Sequence, residues 1–310
     1  MSVDVTVCIP TVRPSTLKSA IDSILSQSWA SWELLVVGQG PDPSLRSICE
    51  EYCRKDSRVR YVHLKPMNVS HARNMAFELA RGDVIAFIDD DCEADREWIA
   101  TLVHCFKQDP NLGFVAGSLL APEFKRQLLS VCPQIQPEDV TYDPVQDAGH
   151  GPARFDVAGA NLAIRATVAK RVGGFDECMG GGAAFLSSED LDFMLRVEAA
   201  GIRMRSTPLL VVHHTYGVRY GLKAVFRHRR SYAVGQGALA AKMTLRGDPR
   251  GRKWLHTIWN DFTQTVKERR FHRSPSALMR YLYVLKSYEH CVRNHEVDTV
   301  TGLFKPKVPV

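Results

Sequence analysis

The chain has 310 residues, of which 45% are hydrophobic and 24% are charged. This length can bury one large core or one domain with an appendage, and the composition is ordinary for a soluble globular protein. No apolar stretch approaches the roughly 18 residues that a membrane-spanning helix needs. Residues 1–4 do not start a basic segment followed by an apolar one, so we expect no cleaved signal sequence.

Charge is distributed unevenly along the chain. Residues 215–310 contain 19 Lys and Arg against 6 Asp and Glu, a net of +13. Residues 1–214 contain 21 against 28, a net of −7. A basic C-terminal region on an acidic body predicts an anionic partner, such as a phospholipid surface, a lipid-linked phosphate or an acidic polymer. For any single basic cluster, a solvated helical surface is an equally good interpretation.

The eight cysteines are scattered, and only Cys49 and Cys53 are close, at a spacing that fits one helical face. This pattern predicts a reduced, cytoplasmic setting. Together with the basic C-terminal region, it leads us to expect a cytoplasmic protein that makes peripheral contact with the anionic inner face of a membrane.

The order of elements up to residue 91 predicts a mostly parallel, twisted sheet covered by helices on both faces. Alternating or continuous apolar residues indicate strands, and residues at helical spacing indicate helices. The predicted elements are strand 3–9, helix 14–28, strand 34–37, helix 43–55, strand 60–64, helix 70–80 and strand 84–89. Residues 120–152, rich in Pro, Gln and Asp, predict an excursion or flexible loop, and residues 222–295 are predicted to be mainly helical.

Three adjacent carboxylates, Asp89, Asp90 and Asp91, close the apolar strand at residues 84–88. They repel one another unless a cation neutralises them. Mg2+ and Mn2+ take carboxylate oxygens and often share the phosphates of a substrate, and ligands of open α/β sheets bind outside the carboxyl ends of the strands. The triplet therefore predicts a metal–diphosphate site, with a solvated acidic junction as the alternative interpretation.

The common phosphate-binding loops are missing from the sequence. No G-x-G-x-x-G follows the first strand, and G-x-x-x-x-G-K-[ST] does not occur. Their absence argues against dinucleotide oxidoreductases and P-loop NTPases, so phosphate charge has to be met by a metal and by side chains.

Four blocks in order resemble the family-2 glycosyltransferases of the GT-A fold, and the resemblance covers roughly residues 3–214. They are residues 7–13 (VCIPTVR), 68–76 (NVSHARNMA), 82–91 (GDVIAFIDDD) and an acceptor-side block at 158–165 (AGANLAIR), 173–177 (GGFDE) and 188–192 (SEDLD). The resemblance implies a metal-dependent inverting transferase that moves a sugar from a nucleotide-sugar donor to an acceptor hydroxyl. It divides the chain into a GT-A catalytic domain at 1–214, with a nucleotide-binding half at 1–91 and an acceptor-side half at 92–214, and a basic helical extension at 215–310.

On the donor side, Asp91 is the predicted ligand of Mn2+ or Mg2+. The family motif P-x-x-V-V-x-H falls on residues 208–214, which makes His214 a second ligand or a diphosphate contact; His213 is the weaker candidate. The resemblance implies a nucleotide-sugar site formed by Pro10, Thr11, Arg13, Gln39, Arg73, Asp89 and Asp90.

Of these donor-side residues, Arg73 has an alternative interpretation and Gln39 departs from the family pattern. Arg73, early on a helix whose N-cap is predicted to be Ser70, could instead form a structural ion pair. Gln39 stands where relatives usually have an Asp that contacts the base. This departure puts uridine specificity in doubt.

On the acceptor side, Asp190 is the predicted catalytic base and Glu189 is predicted to hold the acceptor hydroxyls or to assist. An inverting transfer needs one carboxylate to take the acceptor proton. Acidic residues in the first turn of a helix are also common for dipole reasons alone. Asp192 lies about 200° around the helix from Asp190 and is a poorer base candidate.

Other interpretations and partners stay open at this point. A nucleotidyltransferase would also use metal carboxylates, although it usually begins with a Gly-rich basic loop, and a non-catalytic protein could retain the donor pocket. The acceptor can be a saccharide, a lipid-linked molecule or a small molecule. Nucleic acid is disfavoured because no recognition motif accompanies the basic charge. Trp254, Trp259 and the tyrosines of residues 281–288 are interpreted as packing residues rather than a sugar-stacking surface.

Overall fold

The computed structural model describes residues 3–121, 129–130, 133–147, 157–215, 219–268 and 274–307. The strands in these ranges are β1 Val3–Thr11, β2 Trp32–Gln39, β3 Val59–Leu64, β4 Gly82–Phe87, β5 Cys92–Ala94, β6 Leu112–Leu120, β7 Leu129–Ser130, β8 Val140–Tyr142, β9 Leu162–Arg165, β10 Arg203–His214, β11 Arg219–Tyr220, β12 His295–Val297 and β13 Phe304–Pro306. The helices are α1 Pro14–Leu25, α2 Pro43–Lys55, α3 Val69–Leu79, α4 Trp98–Gln108, α5 Ala166–Val172, α6 Glu189–Ala199, α7 Leu222–Leu245, α8 Arg250–Lys267 and α9 Ser274–Asn294.

A central sheet of nine strands organises these elements. Its strands lie in the order β3-β2-β1-β4-β9-β6-β10-β5, and β8 pairs with the edge of β10. The first four strands of the chain are parallel to one another, as the repeated strand–helix order predicts. The antiparallel strand β9 joins β4 to β6. The predicted α/β fold is confirmed, and the antiparallel pairs come from the second half of the chain.

The parallel register brings three chain segments with polar residues to one edge of the sheet. Thr11 at the end of β1 pairs with Gly38 of β2, and Cys8 pairs with Phe87 at the end of β4. Residues 12–13, Gln39 and residues 88–91 therefore leave the sheet at the same edge, where open α/β sheets bind their ligands.

Local sequence explains where the helices of this half begin. Pro14 and Pro43 occupy the first helical turn, where the missing N–H costs nothing. Asn68 caps α3 by accepting a hydrogen bond from the backbone N–H of His71 at 3.1 Å. The prediction that Ser70 is this N-cap is wrong, because its hydroxyl instead donates to the carbonyl of Met179 at 2.7 Å. Ser70 thereby ties α3 to the loop at residues 176–182.

Two apolar layers cover the two faces of the sheet because alternate strand residues point to opposite sides. Val5, Val7 and Ile9 pack on one face, and Cys8 packs on the other. The second layer includes a cluster of aromatic rings with centroids 4.3–5.8 Å apart, formed by Phe77, Phe87, Phe175 and Phe193. Since Phe77 is on α3 and Phe193 is on α6, this cluster fixes the two helices against each other.

The C-terminal region is mainly helical, as predicted, and a buried ion cluster fastens it to the sheet domain. Lys242 of α7 lies 2.6 Å from Asp176 and 2.8 Å from Asp192, which also pairs with Arg196 at 2.9 Å. Although burial opposes it, Lys242 and Arg196 lower the pKa of Asp192, so this carboxylate stays charged. The boundary at residues 214 and 215 between two folding units stays a prediction.

The predicted excursion at residues 120–152 lies partly outside the described residues, which omit 122–128, 131–132 and 148–156. Its described part is not wholly irregular. Strand β8 extends the sheet, and the Gln136 side chain accepts a hydrogen bond from Ser206 of β10 at 2.5 Å.

Candidate active site

Asp90 holds the turn that follows β1. One carboxylate oxygen accepts a hydrogen bond from the Thr11 hydroxyl at 2.8 Å, and the other accepts from Nη2 of Arg13 at 2.6 Å. The backbone N–H groups of Val12 and Arg13 also donate to Asp90, each at 3.3 Å. Burial raises the pKa of Asp90 while Arg13 opposes the rise. Asp90 therefore lines the site and also fixes the positions of Thr11 and Arg13.

Asp91 and His214 form a carboxylate–imidazole pair. Strand β5 pairs with β10 so that His214 lies opposite Cys92, which brings Nε2 of His214 within 3.4 Å of Oδ1 of Asp91. Nη2 of Arg13 lies 2.8 Å from the other oxygen of Asp91. The Nδ1 atom of His214 is buried and has no hydrogen-bond partner in the described part of the chain.

This pair has the chemistry of a divalent-metal site. Candidate ligand atoms of Asp91, Cys92 and His214 all lie within 4.8 Å of one another. Carboxylate and imidazole suit Mn2+, whereas thiolates select softer metals. Burial and the neighbouring carboxylates raise the pKa of Cys92 well above its ordinary value, so its thiol keeps its proton. The residues present therefore fit Mn2+ or Mg2+ on Asp91 and His214 rather than on Cys92.

Arg73 connects the end of β4 to the start of α6. Its Nη1 donates to Glu189 at 2.8 Å and its Nη2 donates to Asp89 at 3.1 Å. Burial lowers the pKa of Arg73, but these two carboxylates outweigh it and raise the pKa overall. The guanidinium lies under Gly159, where an added Cβ would be 2.4 Å from Nη2. A glycine at residue 159 is therefore what allows a buried arginine to link the two carboxylates.

Asp190 is a partly buried carboxyl held by backbone groups. The N–H of Gly159 donates to Oδ2 at 2.9 Å, and the N–H of Leu191 donates to Oδ1 at 2.8 Å. Burial and, second, the charge of Glu189 raise the pKa of Asp190 from 3.8 to about 7. Arg73 opposes this rise, but it is hydrogen-bonded to Glu189 rather than to Asp190. The two adjacent acids therefore have different environments, with Glu189 paired to a cation and Asp190 poised near neutrality.

The turn before α6 is strained and is braced from two sides. Ser188 has a φ of 69°, a left-handed conformation that costs a non-glycine residue energy and that clusters at functional sites. The hydroxyl of Ser187 donates to the carbonyl of Ser231 on α7 at 3.1 Å. Gly182, with a φ of 88°, approaches the carbonyl of Met67 so closely that an added Cβ would lie 2.0 Å away. These contacts fix the point at which Glu189 and Asp190 enter the site.

Two adjoining cavities receive these side chains and share Val69, Asp89 and Gly181. The nucleotide-side cavity has a volume of about 370 Å3 and is lined by residues 10–13, Gln39, residues 67–69, Asp89, Asp90 and Gly181–Gly182. The acceptor-side cavity has a volume of about 460 Å3 and includes Arg73, Asp89, Glu189, Asp190 and His214 in its wall. The fold thus brings every predicted site residue to these cavities or, for Asp91, into contact with Arg13 and His214 in their walls.

Gln39 lines the nucleotide-side cavity, but its amide is engaged by the protein. The amide nitrogen donates to the carbonyls of Pro66 and Asn68 at 3.0 and 2.9 Å, and the amide oxygen accepts from the N–H of Asn68 at 3.3 Å. Gln39 therefore fixes the loop that carries Met67 into the cavity.

Two residues near the motifs lie away from the cavities. His213 pairs with Asp95 at 2.8 Å, and both side chains are about half exposed. Asp192 belongs to the ion cluster with Lys242 described above. Their positions agree with the lower rank that the family motif gives His213 and that helix geometry gives Asp192.

Sequence reasoning missed the wall that α7 and α8 contribute. His228, Tyr232 and Gln236 of α7 and Trp254 of α8 line the acceptor-side cavity. Trp254 also packs in the helical core, as predicted, so it has both roles. The i, i+4, i+8 spacing of residues 228, 232 and 236 indicates a shared helix face, but only the fold turns this face toward Asp190.

Comparisons with known proteins define the class of this fold. The fold matches that of solved glycosyltransferases of the GT-A fold. The mannosyltransferase PcManGT from Pyrobaculum calidifontis, solved with GDP-Man and Mn2+, has a TM-score of 0.60 at 15% identity over 91% of this chain and 86% of that one. S. aureus TarS with UDP-GlcNAc has a TM-score of 0.57 at 15% identity over 99% of this chain and 97% of that one.

The family is shown by the sequence comparisons. Residues 6–146 match the description "Glycosyl transferase family 2", and residues 84–285, more than half of the chain, match "Glycosyl transferase family group 2". The chain therefore belongs to the family 2 glycosyltransferases. Among curated relatives, the glucosyl-dolichyl phosphate glucuronosyltransferase of Haloferax volcanii is 28% identical over 185 residues, which are 58% of each protein. The alignment thus spans less than two thirds of that relative.

Within the described ranges, no helix combines the length and the apolar character that crossing a membrane requires.

Proposed function

We propose that this chain is a metal-dependent inverting glycosyltransferase that moves a sugar from a nucleotide-sugar donor to an acceptor hydroxyl. One observation carries the proposal: His214 in the wall of one cavity pairs with the buried Asp91 in a site suited to a divalent cation, and the carboxyl of Asp190 in the same wall is suited to act as a base. Arg73 lies between them and links Asp89 to Glu189. The family and the fold support the same reaction class.

On the donor side, Asp91 and His214 would hold the cation, and Arg13 adds a fixed positive charge beside them. A bound divalent cation supplies charge neutralisation for a departing diphosphate. Pro10, Thr11 and the Gln39-supported loop form the nucleotide-side cavity wall. Asp89, which is partly exposed and shared by both cavities, is placed to accept hydrogen bonds from the ribose or the sugar.

On the acceptor side, Asp190 is the base. Its pKa of about 7 makes it a stronger proton acceptor than an ordinary carboxylate while leaving a large ionised fraction at neutral pH. Glu189 already accepts a hydrogen bond from Arg73, so it is better suited to orient acceptor hydroxyls. The backbone hydrogen bonds from Gly159 and Leu191 hold the Asp190 carboxylate in one orientation for in-line attack.

The wall formed by His228, Tyr232, Gln236 and Trp254 supports a saccharide acceptor. Aromatic faces pack against the apolar faces of sugar rings, and the amide and imidazole can bond their hydroxyls. The Haloferax volcanii relative is named for a glucosyl-dolichyl phosphate acceptor, and the C-terminal region here is strongly basic. We therefore place the acceptor among lipid-linked saccharides at the cytoplasmic face of a membrane.

Two paired substitutions test the donor side. Asp91→Ala and His214→Ala should remove Mn2+-dependent thermal stabilisation by UDP, GDP, dTDP or CDP, since a ligand that binds the folded state raises stability by mass action. Asp95→Ala and His213→Ala are matched controls because this pair lies beside the site on the surface. Equal nucleotide stabilisation in the presence and absence of Mn2+ would contradict the metal assignment.

Asp190→Asn tests the base. It should abolish transfer and leave Mn2+-dependent nucleotide-sugar binding intact, whereas retained transfer would remove Asp190 from that role. Release of pyrophosphate from a nucleoside triphosphate would instead favour a nucleotidyltransferase. Donor binding with neither transfer nor slow donor hydrolysis would favour a non-catalytic binding protein.

A further inference from the structure

An exposed apolar surface lies at one end of the three C-terminal helices. Helix α8 runs back along α7, and α9 returns beside both, so the start of α7, the end of α8 and the start of α9 come together. Two aromatic contacts show that these helix ends are close. The ring centroids of Phe226 and Tyr283 are 6.4 Å apart, and those of Trp259 and Tyr281 are 4.9 Å apart. We call this surface the helical tip and define it by the exposed side chains of Leu222, Phe226, Trp259, Val266, Leu278 and Leu282.

The tip concentrates apolar exposure that a globular surface would normally scatter. Its six residues are nearly half of the thirteen large apolar side chains that are exposed in the described part of the chain. Leu222 is 72% exposed, Leu282 is 53% exposed and Phe226 is 49% exposed. Residues 278, 281 and 282 share one face of α9, and Tyr281 on that face packs against Trp259. The exposed side chains therefore gather at one end of the three helices, and such a concentration of apolar exposure marks an interaction site.

Basic residues near the helical tip favour an anionic partner. Residues 219–247 contain no Asp or Glu. Lys223, Arg227 and Arg230 are exposed at i, i+4 and i+7 beside Leu222 and Phe226 on the first turns of α7. The guanidinium of Arg230 lies 5.4 Å from the ring centre of Tyr283 and so borders the apolar surface directly. Exposed apolar side chains bordered on α7 by Lys and Arg complement the anionic headgroups and acyl boundary of a bilayer.

We propose that the helical tip docks the protein on an anionic lipid bilayer, with Leu222, Phe226, Leu278 and Leu282 entering the acyl boundary and the α7 basic residues contacting headgroups. His228 lies two positions from Phe226, about 200° around α7, and it lines the acceptor-side cavity. Docking through the tip therefore sets the orientation of the cavity relative to the bilayer. This surface rests on the proposed function in that it would hold the chain at a membrane where a lipid-linked acceptor resides, but the docking itself needs neither donor nor metal.

Vesicle co-sedimentation of the full chain tests the docking. The chain should sediment with vesicles of phosphatidylglycerol and phosphatidylcholine at low salt and much less with phosphatidylcholine alone. Phe226→Ser combined with Leu282→Ser should weaken binding at least tenfold. Lys223→Glu combined with Arg227→Glu should weaken vesicle binding by a similar factor. Each lost positive charge lowers the affinity about fivefold, and reversal of the charge lowers it further. Val145→Ser and Val300→Ser, exposed apolar positions elsewhere, should sediment as the parent does.

Each other result has a defined meaning. Failure of the parent chain to sediment, or unchanged sedimentation of the Phe226 and Leu282 double variant, overturns the proposal. A shift of that variant from dimer to monomer with unchanged vesicle binding would make the partner a second copy of the chain. Mn2+-dependent nucleotide binding should be normal in all tip variants, so a failed glycosyltransferase assignment would show up separately from failed docking.

Discussion

Asp190→Asn should stabilise the protein while abolishing its proposed activity. Burial and the neighbouring Glu189 raise the pKa of Asp190 from 3.8 to about 7. This rise corresponds to about 4 kcal/mol of stability that the folded state loses as the pH increases from about 4 to 7. Asparagine has nearly the same shape, keeps an oxygen to accept one backbone hydrogen bond and carries no charge. We expect the free energy of unfolding to increase by about 2–4 kcal/mol at pH 8. The lower value allows for a weakened hydrogen bond from Gly159 or Leu191, because Asn has only one oxygen to accept it.

The direction of the stability change follows from how the free energy of unfolding depends on pH. Between pH 4 and 7 the folded state keeps a proton on Asp190 that the unfolded state has lost, so the parent protein becomes less stable as pH rises through this window. The advantage of Asp190→Asn should therefore fall to less than half by pH 5 and nearly vanish at pH 4. Urea unfolding of both proteins with EDTA at pH 4, 5 and 8 measures it.

Asp192→Asn is a matched control with the opposite sign. It lies on the same helix, but Lys242 and Arg196 lower its pKa, so the charged form stabilises the fold. Breaking this buried pair should cost about 3–5 kcal/mol at neutral pH. If Asp190→Asn is neutral or destabilising at pH 8, or if its gain persists unchanged at pH 5, the assignment of a raised pKa to Asp190 is wrong.

Three further predictions follow from the site and its supports. The kcat/KM of transfer should fall about tenfold per pH unit below pH 6 because protonated Asp190 is no base; a plateau reaching pH 5 in a pH–rate profile would indicate an ordinary carboxyl. Arg73→Gln should cost about 3–5 kcal/mol in denaturant unfolding because it leaves the Glu189 carboxylate buried without a cation. Lys242→Met should lower the free energy of unfolding by a similar amount because it leaves Asp176 without its cation. If this variant is as stable as the exposed control Lys286→Met, the buried ion cluster is not what anchors α7.

The strand ends were predictable because their signals are local. A run of apolar residues closed by three acids marks a buried strand that delivers charge to an edge, whatever the rest of the chain does. The parallel order of the first strands follows from helices long enough to cross the sheet between them. The family resemblance added the order of the blocks, and the family is confirmed. The roles of the individual site residues stay predictions.

The links between the blocks were not predictable. Arg73 meets Asp89 and Glu189, which lie 16 and 116 residues away along the chain. Pattern reasoning left Arg73 a contact to the nucleotide, to the carboxylate cluster or to a structural ion-pair partner. The fold pairs it with Asp89 and Glu189, and the nucleotide contact stays a prediction. Gln39 was expected only to form part of the nucleotide-sugar site, since nothing in its sequence neighbourhood shows that the loop at residues 66–68 folds back onto its amide.

The sequence by itself determined the α/β architecture, the acidic strand end, the helical basic C-terminal region and the family, because each depends on periodicity, composition or short motifs. Only the tertiary structure decided which charges meet. The register of β5 on β10 places His214 beside Asp91, burial next to Glu189 raises the pKa of Asp190, and the packing of α7 turns one helix face into the cleft and leaves another exposed. Proximity, burial and electrostatic coupling are properties of distances between remote residues, and folding sets those distances.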